Sequence, residues 1–293
     1  MKGDNAPGSG SLEKEKIQTV GVQTMTRFGL LGCGAMGSAV AQAFVSGEIP
    51  RTLSCVYDVR AEAAEELAQR FKDPPRICES IGELIENSDF IIEAASQEAV
   101  REHMPAALKA ERDVLIMSVG ALLDDDVRDK VYSASKESSA SIYLPSGALA
   151  GVDGMLSGAV VGVDAVTLTT TKPPGGLRGV AYLKQRGVDV ERLAEPTVVF
   201  EGSAVEAARL FPKNINVSAV ASLASGRTAN VRIVCDPDAE RNTHEICATG
   251  PFGEVTAKTT NLPSPDNPKT SYLAALSVIA TLKKITGNIK IGN

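Results

Sequence analysis

From Phe28 onward, short apolar runs alternate with segments of helical period, and each run is brief enough to be a strand buried on both faces. The runs predict strands at 27–31, 53–57, 90–93, 114–117 and 141–144. Helices are expected at 38–46, 61–71, 81–87, 97–110 and 124–136, the fourth broken or restarted at Pro105, because a proline ring clashes with the preceding turn. This alternation is the pattern of a parallel sheet with helices on both faces.

The pattern changes near Pro145. SGALAGVDGMLSGAV is rich in small residues and reads as a helix after Gly151, and 165–172 (AVTLTTTK) alternates as a strand with one polar face. A proline- and glycine-rich loop at 173–179 leads to a strand at 197–201. Helices at 203–211 and 214–225 are separated by Pro212, and Gly226 closes the second. Strands follow at 230–235, 243–249 and 254–260, the last two joined by a hairpin turn at Gly250-Pro251-Phe252-Gly253. These elements predict a mostly antiparallel sheet with helices on one face. At the end, Asn267 is placed to cap a helix, Pro268 suits its first position, Lys283 and Lys284 suit its negative end, and Gly287 stops it. Its body, 272–282, is apolar on nearly every face, so burial at the junction of the two units is expected.

The first strand runs into FGLLGCGAMG, a GxGxxG turn that opens a helix. Gly32 would let the strand turn tightly, Gly34 would let a pyrophosphate approach the backbone, and Gly37 would let the helix pack against the sheet. Ala35 and Met36 begin that helix, whose free N–H groups suit phosphate. Asp58 ends the second strand about 20 residues further on, where a carboxylate accepts from a ribose 2′-hydroxyl. Arg60 could instead hold a 2′-phosphate, so the cofactor reads as NAD or NADP; the plain alternative for Asp58 is a turn residue. Ala94-Ala95-Ser96 and Pro145-Ser146-Gly147 lie at strand ends, where an open α/β sheet places its ligand. The fold class is therefore α/β: a tail at 1–26, a Rossmann dinucleotide-binding domain at 27–147, an α+β catalytic and dimerisation domain at 148–266, and a junction helix at 267–293.

Composition changes this picture little. Hydrophobic residues make up 43% of the 293 and charged ones 23%, which excludes wholesale disorder, and no apolar run approaches the length of a membrane span. The net charge of −6 gives no sign of nucleic-acid binding, and a cytoplasmic protein is expected. Five scattered cysteines without a Cys-x-x-Cys pair predict free thiols in a reducing compartment and no metal site, although Cys235 and Cys247 could face each other across neighbouring strands. The polar, glycine-rich first 26 residues lack the apolar core of a secretory signal, and Met25 offers an alternative start.

Only two histidines are available for acid–base work near neutral pH. His103 lies in a charged helical segment and reads as a surface residue. His244 sits in Arg241-Asn242-Thr243-His244-Glu245, where a polar turn enters a strand and a side chain can point into a cleft. Lys213 and Asn214 open a helix, so Asn214 is either a plain N-cap or a partner for a carboxylate or carboxamide. Lys213, Asn242 and Thr243 are candidate substrate contacts, and Lys172, Arg178, Arg232 and Lys269 are further partners available to an acidic ligand.

Taken in order, GLLGCGAMG, EAASQEAV, PSGALAGVDG, LTTTKPP, FEGSAVEAARLFPKNINVSA, NTHEI and NPKTSYLAALSV resemble the L-aspartate dehydrogenase family of archaea and bacteria. The resemblance covers nearly everything after the tail, and its last three motifs do not belong to dinucleotide-binding folds in general. It implies NAD(P)-dependent oxidative deamination of L-aspartate to iminosuccinate, which hydrolyses to oxaloacetate and ammonia or feeds NAD biosynthesis. The family's catalytic histidine matches His244, and its cofactor contacts match Ala148 and Asn214. With Ala95 and Ser96 at the strand end, these would hold the nicotinamide. A homodimer formed through the second unit's sheet is also expected. The tail is a departure, and the proline–glycine segment after Lys172 is longer than in the shortest members. Two rivals remain: a related reductase of another small acid or imine, and a dinucleotide-sensing module that catalyses nothing.

Overall fold

The computed structural model describes residues 26–211, 216–264 and 267–293. The expected tail at 1–26 lies almost wholly outside them, as do Lys213 and Asn214. β1 (Phe28–Leu31) leads to α1 (Ala35–Val45), β2 (Leu53–Tyr57) to α2 (Ala61–Ala68), and β3 (Arg76–Ile77), too short to show in the apolar pattern, to α3 (Ile81–Glu86). β4 (Phe90–Glu93), α4 (Gln97–Lys109), β5 (Asp113–Ile116), α5 (Asp125–Ser138) and β6 (Ile142–Tyr143) complete the unit. The six strands are parallel, in the order β3-β2-β1-β4-β5-β6. The order reverses between β1 and β4, which opens a crevice at their carboxyl ends.

Both faces of this sheet are apolar because both are covered. Phe28, Leu30, Phe90 and Ile92 pack with Val40 and Phe44 of α1 on one side; Leu31 and Ile91 pack with Val100, Met104 and Leu108 of α4 on the other. Each such side chain contributes about 1.5–3 kcal/mol by leaving water. The predicted break at Pro105 is absent. α4 runs through it, because Val100 and Met104 before the proline and Ala107 and Leu108 after it are all anchored in the core.

The second unit comprises α6 (Val152–Ala159), β7 (Ala165–Lys172), α7 (Pro174–Leu177), α8 (Ala181–Gln185), β8 (Thr197–Ser203), α9 (Ala204–Leu210), α10 (Asn216–Ser225), β9 (Asn230–Cys235), β10 (Asn242–Gly250) and β11 (Gly253–Asn261). Its sheet has the order β11-β10-β7-β9-β8; only β7 and β9 run parallel. Leu168, Ile246 and Val231 face Met155 of α6 and Ala219 and Val220 of α10, whereas Thr167, Thr169 and Thr171 alternate onto the outer face. Because β7 lies between β9 and β10, Cys235 and Cys247 are not on neighbouring strands; all five cysteines are free thiols.

The C-terminal segment departs from expectation. Asn267 does not cap a helix. β12 (Pro263–Ser264) and β13 (Asn267–Ser271) pair antiparallel, and α11 (Tyr272–Thr286) begins only after them. Backbone pairing satisfies groups that an earlier helix start would have left to a cap. Nor is α11 buried all round: Ala275, Val278 and Leu282 pack inward, Val278 and Leu282 in the α1-side core, while Tyr272, Leu273 and Leu276 are exposed. Ser277 Oγ accepts from Gly147 N at 3.0 Å, tying α11 to the end of the first unit.

The glycines of the β1–α1 turn differ in what they permit. Gly32 has φ +96°, and a Cβ there would stand 2.7 Å from the Ala94 backbone, whereas a Cβ on Gly34 would meet nothing within 4 Å. Gly32→Ala is expected to destabilise the fold by about 3 kcal/mol or more, and Gly34→Ala by no more than about 1 kcal/mol. Thermal unfolding of the two variants checks this; equal losses would contradict it.

Candidate active site

A cavity of about 300 Å³ lies between the carboxyl ends of the parallel strands and the inner face of the second sheet. Met36 of α1, Ala94 and Ala95 after β4, Met117 and Ser118 after β5, and Gly147 and Ala148 line it from the first side. Lys172 of β7, and Asn242 and His244 of β10, line it from the second, and α10 and α11 close its flanks. The size and mixed lining suit a small ligand held against one end of a larger one.

Strand alternation decides which side chains arrive there. Val166, Leu168, Thr170 and Lys172 share the inner face of β7, so a lysine ends up only 6% exposed. On β10 the inner set is Asn242, His244 and Ile246; Thr243, a sequence candidate, points to the other face and does not line the cavity. His244 lies directly across from Thr170, and its Nδ1 is 3.0 Å from Thr170 Oγ1, which leaves Nε2 for the cavity. Burial, and then the Lys172 ammonium, push the His244 imidazole down to about 4, so it is neutral at physiological pH. Burial pushes Lys172 down to about 8.

The turn from β1 suits a dinucleotide. α1 starts at Gly34 with no side-chain cap and no acidic residue in its first turn, so its N–H groups are open to an anion beside the space at Gly34. Asp58 accepts from Cys33 N at 2.7 Å and Arg60 N at 2.9 Å. It therefore props the glycine turn; Oδ1 also lies 3.5 Å from Arg60 Nε, and Oδ2 keeps a second lone pair for a ribose hydroxyl. Ser96 spends its hydroxyl on Ala99 N as the N-cap of α4, and the Ala148 carbonyl accepts from Thr259 Oγ1 at 2.8 Å.

The structure thus brings Met36, Ala95, Ala148, Asn242 and His244 to one cavity. Lys172 was visible in sequence as one cation among several, and the alternation of AVTLTTTK was the signal that could have singled it out. Asn216, unremarked in sequence, lines the cavity and accepts from Gly120 N at 3.0 Å, joining α10 to the turn after β5.

Met36, in the helix that the glycine turn opens, and the His244 imidazole line the same cavity from the sides of two different sheets, an arrangement that fits the class the comparisons define: an NAD(P)-dependent oxidoreductase of two units. Residues 32–145 match the model of the homoserine dehydrogenase NAD-binding domain, and residues 153–285 that of the aspartate dehydrogenase C-terminal domain. The chain is similar to the L-aspartate dehydrogenases of Methanosarcina acetivorans and Methanosarcina mazei, at 46% and 45% identity over 92% of this chain and 100% of each relative. It also resembles the crystal structure of aspartate dehydrogenase from Thermotoga maritima, with a TM-score of 0.70 and 27% identity over 91% of this chain and 99% of that one. The chain belongs to the L-aspartate dehydrogenase family.

Two histidines make the electrostatics of the site directly readable. In an NMR titration His244 should titrate near pH 4, and Lys172→Met should raise that value, because it removes a charge that opposes the imidazolium while burial remains. An unchanged or lower value in the variant would contradict the arrangement.

Proposed function

We propose that the chain catalyses the NAD(P)-dependent oxidation of L-aspartate to iminosuccinate, which then hydrolyses to oxaloacetate and ammonia or supplies NAD biosynthesis. The observation that carries this reading is the pair of buried side chains His244 and Lys172, side by side in the wall opposite the glycine turn of a family member. When bound, the dinucleotide supplies the acceptor for the hydride on the substrate's Cα.

Gly32, Gly34, Ala35, Met36 and Gly37 hold the pyrophosphate, Asp58 the adenosine ribose, and Ala95, Ser96, Ala148 and Asn214 the nicotinamide end. Lys172 binds a substrate carboxylate, assisted by Asn242 and Lys213, and Met36, Met117 and Val220 keep water from the reacting atoms. His244 Nε2 exchanges a proton with the substrate nitrogen as general acid–base. Its low proton affinity is conditional. A carboxylate seated on Lys172 offsets the charge that depresses the imidazole, so the ring becomes more basic when substrate is present.

By the same reading, 27–147 is the dinucleotide-binding domain, 148–266 the catalytic and dimerisation domain, and 267–293 the segment that joins them. The outer, threonine-rich face of the second sheet is where a second copy docks. A cytoplasmic location is part of the same reading; among the described residues no helix is long and apolar enough to cross a membrane.

Screening amino acids for reduction of NAD and NADP should give activity with L-aspartate, and His244→Ala should lower kcat by about 10²–10⁴-fold while Kd for the cofactor stays within about twofold of wild type. Activity confined to another amino acid would overturn the substrate. Lost cofactor binding with unchanged turnover at saturation would overturn the role of His244.

A further inference from the structure

Glu93 closes β4 and is fully buried, although it touches neither the surface nor the cavity directly. Its Oε1 accepts from Ala95 N and from Ser118 Oγ, both at 2.9 Å. Its Oε2 accepts from Met117 N at 3.1 Å and Ser118 N at 2.9 Å. Three of these four donors are peptide N–H groups, which cannot accept a proton in return, so the set matches a carboxylate better than a carboxylic acid.

Two further facts make this group unusual. Among the described residues no Lys, Arg or His lies within ion-pairing distance of Glu93, so a buried carboxylate stands without a cation. The four donors at 2.9–3.1 Å belong to Ala95, Met117 and Ser118, which line the cavity, so the charge lies one residue behind the wall. Burial holds the carboxyl above the usual carboxylate range, and the hydrogen bonds oppose that shift without reversing it. A cation arriving in front of the wall would add a favourable interaction that a neutral ligand would not.

An oxidised nicotinamide ring is cationic and a reduced one is neutral. We propose that Glu93 holds a buried negative charge behind the nicotinamide end of the cavity and so favours the oxidised dinucleotide over the reduced one. This rests on the reading that the nicotinamide lies against the strand ends at Ala95 and Ala148. Glu93 acts through the wall by charge and position, and touches no reacting atom.

The test is the ratio of Kd for the oxidised cofactor to Kd for the reduced one, measured by calorimetry on the full chain. Glu93→Gln should raise that ratio on the order of tenfold, and Glu93→Asp, which keeps the charge, should leave it within about twofold. Equal weakening of both forms in Glu93→Gln would show a merely structural role and overturn the proposal. Carbon-13 NMR of the wild-type side chain at pH 7 should show an ionised carboxylate, and a protonated carboxyl there would also overturn it. Failure of both cofactor forms to bind the wild type would sink the reading of the site and the proposal with it.

Discussion

The pairing register of β7 with β10 sets His244 opposite Thr170, and much of the site depends on it. Side chains alternate along a strand, so a slip of one residue would carry the imidazole to the outer face and bring Thr243 inward. The register is held by the apolar partners on the same inner face. Leu168 and Ile246 are opposite each other and buried, and moving them into water would cost several kcal/mol. The polar pair is thus placed by hydrophobic burial two residues away.

The other wall depends on a different device. The carboxyl ends of β4 and β5 are drawn together by Glu93, while Asp58 props the turn after β1. Both are carboxylates that receive backbone N–H groups, and both sit at strand ends where irregular chain would otherwise leave donors unpaired. Asn216 then binds the second unit to the first through Gly120, and Ser277 ties α11 to the end of the first unit through Gly147, both at the cavity rim. The cavity is consequently bounded by turns that are individually pinned, which suits a site that must hold two ligands in register.

Much of the architecture could be read from periodicity. The strands at 53–57 and 90–93 fall where their apolar runs begin and end, and those at 165–172 and 230–235 fall where apolar and polar residues alternate because one face is buried. Local rules failed where tertiary contacts outweighed them. Pro105 does not break α4, because core residues on both sides hold the helix, and Asn267 pairs in a strand although its sequence has the look of a cap. At the site, His244 was legible from its polar turn, but Thr243 was grouped with it although alternation sends neighbours to opposite faces. Glu93 gave no signal at all. A carboxylate at the end of an apolar strand reads as the start of a loop, and only the donors gathered from Ala95, Met117 and Ser118 reveal why it is buried.

The proposed function places Lys172 and His244 of one cavity against a dicarboxylate substrate, on the side opposite the strand ends of the dinucleotide-binding unit. A crystal structure with oxidised cofactor and succinate, a dicarboxylate that has no amine to react, tests it most directly. The account predicts a succinate carboxylate within hydrogen-bonding distance of Lys172 Nζ and His244 Nε2 directed at the ligand. Succinate bound away from both side chains, or an imidazole turned out of the cavity, would contradict it.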